Sequence, residues 1–183
     1  MRDQLTRLTG KQMRDIFGQH KQDFNEIRRL CLICHGLDLT TSSLSSENSR
    51  LVMSKNVEDT LHNLVSSNLL SLVIAIRVNL YQNAINQPNL ELPNSSWLYF
   101  DDKLIEKPAT LKQVCDKIIH ADSFFKTVPP SGLIDPEYKI AVQFKGVEYK
   151  KSWTLNLVLE CFVEDVLSLL DSIEESMPNE SIN

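Results

Sequence analysis

Between Leu69 and Gln82 the chain reads LLSLVIAIRVNLYQ, apolar on nearly every helical face and broken by one charge, Arg77. A helix of that kind is stable only when protein surrounds it, so the stretch predicts a central helix with the other elements packed around it. The pattern starts at Asn56, a capping residue with Asp59 at the reciprocal position. It runs through Leu61, Leu64, Val65, Leu69, Leu72, Val73, Ile76 and Leu80 until Pro88 forbids more. The longest apolar run, Leu69–Ile76, is too short to cross a bilayer and already contains Ser71, so no membrane contact is expected. A length of 183 residues with 42% hydrophobic content suits a single domain with a real core.

Other helices announce themselves by the same period. Met13, Ile16, Phe17, Phe24, Ile27, Leu30, Cys31 and Cys34 recur at steps of three and four, and Gly36 is placed to end that helix. Residues 37–55 are rich in Ser, Thr and Asn, which compete with a helix for backbone hydrogen bonds, and predict a loop. Residues 88–108 hold three prolines and the exposed-looking run WLYF, and read as irregular. Thr110 and Gln113 form a capping box for a short third helix that buries Leu111, Val114, Cys115, Ile118 and Ile119. The period then changes to two: Tyr138, Ile140, Val142 and Phe144 alternate with polar neighbours, Gly146 marks a turn, and Lys151–Leu155 returns. From about Asn156 the spacing of Leu159, Phe162, Val163, Val166, Leu170 and Ile173 is helical again. The expected architecture is mainly α. It is a four-helix bundle with one β-hairpin, at about 138–155, inserted before the last helix. The whole forms one domain over 1–175, with 176–183 a disordered tail.

The net charge of -5 is unevenly spread. Residues 1–30 hold seven Lys and Arg against four acids, whereas 156–183 hold seven acids and no Lys or Arg. A protein coated in nucleic acid is basic, so any polynucleotide contact here must be local. The N-terminus is polar, with no apolar core of a secretory signal, and four cysteines in such a chain read as reduced thiols. A cytoplasmic protein is expected.

Several motifs carry potential chemistry. Cys31-Leu-Ile-Cys34-His35 matches the attachment motif of c-type haem, but both cysteines lie on the apolar stripe of the first helix. A zinc site would need a fourth ligand, and Cys115 and Cys161 are isolated from any second pair. Core packing is the expectation, with no cofactor and no metal. Arg77 is costly to bury without a partner, and it is either a structural ion-pair residue or a cationic site for phosphate. On the third helix, Gln113, Asp116, Lys117 and His120 fall opposite the apolar stripe, so Asp116 could orient the imidazole and Lys117 attract phosphate. The plain alternative is a solvated polar face with its histidine favoured by the helix dipole. Tyr149, Lys150, Lys151 and Trp153 mix basic and aromatic character, a weak signal for base stacking. Phosphate-binding glycine loops and H-E-x-x-H are missing from the sequence.

LLSLVIAIRVNLYQ followed by LKQVCDKIIHA, and then a hairpin feeding a last helix, resembles the HEPN superfamily of helical domains. More narrowly, it is similar to small bacterial proteins whose third element ends in K-I-I-H-A. The resemblance runs loosely over 56–173 and is sharp over about ten residues around His120. It implies a homodimer acting through RNA or through an antitoxin or other protein partner, in a bacterial or phage-linked defence setting. It further implies, for active members, a metal-independent endoribonuclease, here with His120 as general acid–base and Arg77 and Lys117 stabilising the phosphate, oriented by Asp116. The family signature is an Arg and a His separated by four to six residues, with a polar residue directly after the Arg. In this chain Cys115, Val114 and Gln113 hold the Arg places, and Asp116 stands at the polar one. The resemblance therefore implies a degenerate-site interaction or dimerisation module first, and a ribonuclease second.

Overall fold

In the computed structural model, which describes residues 24–44, 54–82, 84–87, 89–105, 107–127 and 141–176, four helices lie against a five-stranded antiparallel sheet. The order is α1 (Asn25–Leu44), α2 (Lys55–Tyr81), β1 (Ser96–Phe100), β2 (Lys103–Leu104), α3 (Leu111–Ile119), β3 (Ser123–Thr127), β4 (Ala141–Glu148), β5 (Lys151–Val158) and α4 (Leu159–Ser176). Across the sheet the strands run β2-β1-β5-β4-β3. The mainly α bundle with one inserted hairpin is thereby corrected to a mixed α/β fold. The hairpin exists, as β4 and β5, but it is the middle of a sheet. On one side β1 pairs with β5, Leu98 opposite Leu155, and on the other β3 pairs with β4, Phe124 opposite Phe144. The period-two signal of SWLYF is only five residues long and sits in a proline-rich segment. Its pairing partner lies more than fifty residues away, which no local pattern reveals.

Local chemistry sets the element ends. Ser54, rather than Asn56, caps α2, its hydroxyl accepting from the Val57 N–H at 3.4 Å. α1 runs through Gly36 to Leu44, so the first part of the expected loop is helical. Thr40 settles into it by donating its hydroxyl to the Gly36 carbonyl at 2.8 Å. The early part of the expected first helix (Met13, Ile16, Phe17), most of the rest of that loop, Tyr138 and Ile140 of the expected strand, and the expected tail lie outside the described residues. Both hairpins turn on two residues with left-handed backbone, Asp101 and Asp102 (φ 47° and 62°) and Tyr149 and Lys150 (φ 48° and 66°), a geometry that matches strand twist. The turns are stitched to the neighbouring strand by Asp101, which donates its N–H to the Ser152 carbonyl at 3.0 Å and accepts from the Ser152 N–H at 3.1 Å.

The core is continuous from the inward face of the sheet to the helices. Leu98, Leu155, Phe144 and Phe124 form one inward row; Phe162, Val163 and Leu170 of α4, Leu69, Leu72 and Ile76 of α2, and Ile27 and Leu30 of α1 complete it. α2 is the central helix that the sequence predicts, with Val65, Leu69, Leu72, Val73, Ile76 and Leu80 buried. By length and composition α2 could also cross a membrane, although 33% of its most apolar window is buried within this fold.

Gly146, expected in a turn, instead faces inward in the middle of β4, directly opposite Trp153 of β5. A β-carbon there would lie 2.7 Å from Cε2 of the Trp153 indole, so the ring lies where only glycine leaves room. Gly146→Ala should therefore displace the indole and destabilise the protein by about 1–3 kcal/mol, the usual cost of overpacking a core. A urea titration followed by tryptophan fluorescence measures it, and an unchanged midpoint would contradict the packing.

Candidate functional site

α3 is a short bolt between α2 and the sheet, and its position decides where the chemistry-bearing residues go. Its start is fixed by the capping box: the Gln113 N–H donates to Thr110 Oγ1 at 3.3 Å, and the Thr110 N–H donates to Gln113 Oε1 at 2.9 Å. Two backbone bonds, Leu92 N–H to the Ala109 carbonyl at 2.9 Å and Leu111 N–H to the Leu90 carbonyl at 2.8 Å, tie that start to the chain before β1. Leu111, Val114, Cys115 and Ile118 are buried as expected, and Ile119 is half-buried. The flanks of the helix then face α2 on one side and the sheet on the other.

On the first flank, Arg77 Nε donates to Asp116 Oδ1 at 2.6 Å. Both side chains are about a third exposed, so the guanidinium reaches a carboxylate at the rim of the core without an isolated buried charge. On the second flank, Lys117 does not lie on a solvated face. Its side chain is only 12% exposed, its Nζ sits 4.9 Å from the Phe100 ring centre and 4.7 Å from that of Trp153, and Glu148 Oε2 accepts from it at 2.6 Å. Two aromatic faces and a carboxylate close this ammonium off. His120 ends α3: its N–H donates to the Asp116 carbonyl at 3.1 Å, and its ring is exposed. Among the described residues its imidazole makes no hydrogen bond, ion pair or ring contact. The structure thus brings Arg77 to Asp116, takes Lys117 into the aromatic box, and joins neither cation to His120.

Cys31 and Cys34 lie on the core face of α1, both fully buried. Burial pushes each thiol up to about 12, and that of Cys115 likewise. His35 Nε2 stands 3.8 Å from Glu160 Oε1 of α4. Among the described residues no three His, Cys, Asp or Glu side chains are grouped to hold a metal ion. The basic-aromatic mixture of the hairpin separates in space: Tyr149 and Lys150 form the exposed turn, while Trp153 points into the core.

The outward face of the sheet carries a set of residues that the sequence reading did not single out. Strand alternation and register place Trp97, Asn156, Gln143 and Phe125 in one row, and Tyr99, Thr154, Lys145 and Ser123 in the next. Gln143 Nε2 donates to Asn156 Oδ1 at 2.9 Å, and Lys145 Nζ is 5.7 Å from the Phe125 ring centre. A shallow groove of about 300 Å³ runs between Tyr99, Asp102, Gln143, Lys145, Thr154 and Asn156. SWLYF reads in sequence as one continuous apolar patch, and only strand geometry divides it between the two faces of the sheet. Comparison with protein-family models, curated proteins and solved structures finds no match to this chain.

Two outcomes follow from the paired charges and buried thiols. Lys117→Met keeps the packing but removes the cation from the aromatic box, and should cost about 1–2 kcal/mol, whereas His120→Ala should change stability by less than about 0.5 kcal/mol. Equilibrium denaturation of both variants checks the contrast; equal effects would contradict the box. For the thiols, the native state holds protons that the unfolded chain releases above about pH 9, so their contribution to stability falls as pH rises from there towards about 12. Cys31, Cys34, Cys115 and Cys161 should accordingly react with a disulfide reagent at pH 8 only after denaturation, which thiol counting with and without guanidinium measures.

Proposed function

We propose that this chain is a non-catalytic binding module whose ligand is a short single strand of RNA laid across the open face of the sheet. The observation that carries the proposal is the pair of outward rows, in which Trp97, Tyr99 and Phe125 flank the amides of Gln143 and Asn156 and one ammonium, Lys145. Trp97 and Tyr99 stand two residues apart on one strand, roughly 7 Å, close to the spacing of splayed bases. Aromatic faces accept any base by stacking, amides can hydrogen-bond base edges, and a lysine answers a phosphate. A protein-docking patch would show a contiguous apolar centre, which polar Asn156, Gln143 and Thr154 interrupt here. RNA is one of the two partner classes, beside protein, that the resemblance to HEPN proteins implies.

The geometry around α3 supports a binding role over cleavage. Stabilising a pentacoordinate phosphate without a metal needs a cation free to approach it. Lys117 is closed by a carboxylate and two rings, and Arg77 is committed through its Nε to Asp116. That leaves His120 as an exposed imidazole in contact with neither cation. A cytoplasmic setting belongs to the same proposal, supported by four unbridged cysteines.

Fluorescence anisotropy with labelled eight-nucleotide RNA, with EDTA present, tests the reading. Stacking contributes about 1–3 kcal/mol per base, so Trp97→Ala or Tyr99→Ala should weaken binding roughly 5- to 150-fold. With one lysine in the groove, the slope of log affinity against log salt should be shallow, near about -0.7. Absence of binding at high micromolar protein, or binding that ignores both substitutions, would overturn the proposal. RNA cleavage that disappears in His120→Ala would reinstate the ribonuclease in its place.

A further inference from the structure

The outer side of α2 has a property unusual for a surface helix. Val57, Thr60, Leu64, Ser67, Ser71, Ile74, Val78 and Tyr81 are all exposed, and they follow one another at alternating steps of three and four. That is the 3.5-residue period of a coiled-coil seam, three and a half heptads long, on the side of the helix opposite its buried stripe. Among its large side chains exposure runs from 38% at Val57 through 45% at Ile74 to 83% at Tyr81, with Leu70 at 41% beside them. From Thr60 to Tyr81 the seam contains no Asp, Glu, Lys or Arg. Arg77 lies at its margin and is held by Asp116.

The seam's polar residues are already satisfied within the helix. Thr60 Oγ1 donates to the Asn56 carbonyl at 2.7 Å, Ser67 Oγ to the Leu64 carbonyl at 3.2 Å, and Ser71 Oγ to the Ser67 carbonyl at 2.8 Å. Each of these three hydroxyls therefore keeps its donated hydrogen bond when water is removed from the seam.

We infer that two copies of this chain associate through this seam, antiparallel, about a two-fold axis level with Leu69. The inference stands apart from the RNA-binding reading. In antiparallel register Leu64 faces the partner's Ile74 and Ser67 the partner's Ser71, layers of equal size, and at the ends the small Val57 faces the partner's large Tyr81. The serine layer at the centre lets the helices approach closely. A parallel pairing would set Glu58 and Asp59 of both copies side by side at the same helix ends, whereas the antiparallel one places them against an uncharged C-terminal turn. An uncharged, self-complementary seam fits a second copy better than a charged partner. It also fits a second copy better than a bilayer surface. Helices that lie on membranes carry a lysine- and arginine-rich flank, whereas here the flank offers one committed arginine on a chain of net charge -5. The other side of α2 packs in the core between α1 and α3, which spanning a bilayer would require it to leave.

Sedimentation velocity at micromolar concentration tests this on the full chain. Wild type should sediment at twice the 20.9 kDa chain mass, and Ile74→Glu should halve that mass with an unchanged circular dichroism spectrum. Site-directed cross-linking does not depend on Ile74→Glu folding, and the native thiols are buried. With a short bismaleimide, Ser71→Cys should give a covalent dimer, while Lys112→Cys on the exposed side of α3 should not. Val57→Cys should not link to itself either, because antiparallel helices hold the two copies about 36 Å apart along the axis. A monomeric wild type overturns the inference, and one in which Ser71→Cys resists maleimide assigns the seam to another part of the same chain. Linking at Val57→Cys overturns the antiparallel arrangement.

Discussion

The need to cover one face of an antiparallel sheet with so few strands shapes the rest of this molecule. Leu98, Leu155 and Phe144 cannot face water as a row, and helices must close over them. α3 does so beside Phe100 and Trp153, where Gly146 leaves room for the indole and Lys117 lies against both rings. Once α3 is seated, Asp116 holds Arg77 at the edge of the face that the buried stripe of α2 turns inward. Coverage of the sheet, the position of the central helix and the fate of two cations are one linked arrangement.

Among the described residues, most of the ion pairs join different elements. Arg28 of α1 reaches Asp171 and Glu174 of α4 at 2.7 Å each, tying a helix from the basic N-terminal region to the acidic last helix. Its hydrogen bonds hold the Glu174 carboxyl below the usual carboxylate range. Such rim pairs individually add little stability in water, but each sets which helix faces meet. The chemical consequence matters more than the energetic one. Lys117, shut in by a carboxylate and two rings, serves to hold α3 on the sheet, and Arg77 joins α2 to α3 through its Nε while the rest of its guanidinium stays at the rim.

Much of the helical part was legible because helix signals are local. The apolar stripe of α2, the capping box of α3 and the periodicity of α4 each lie within a few residues, and all three helices form. The strands were less legible for a physical reason. β1 acquires its meaning from β5, and β3 from β4, and neither pairing is written within the short strand itself. Gly36 and Gly146 both look like chain stops in sequence, yet one sits in mid-helix and the other yields space to a ring.

The sequence by itself determined that a long, largely apolar helix lies at the centre, that Arg77 needs an anionic partner, and that Cys31 and Cys34 belong to a packed stripe. Each of these follows from side-chain chemistry that holds in any fold able to bury them. Only the tertiary structure decided that Asp116 is that partner, that Lys117 is enclosed by Phe100 and Trp153, and that Trp97, Tyr99 and Lys145 share an open face. Those outcomes depend on strand register and on where a nine-residue helix comes to rest, which are set by packing between distant segments.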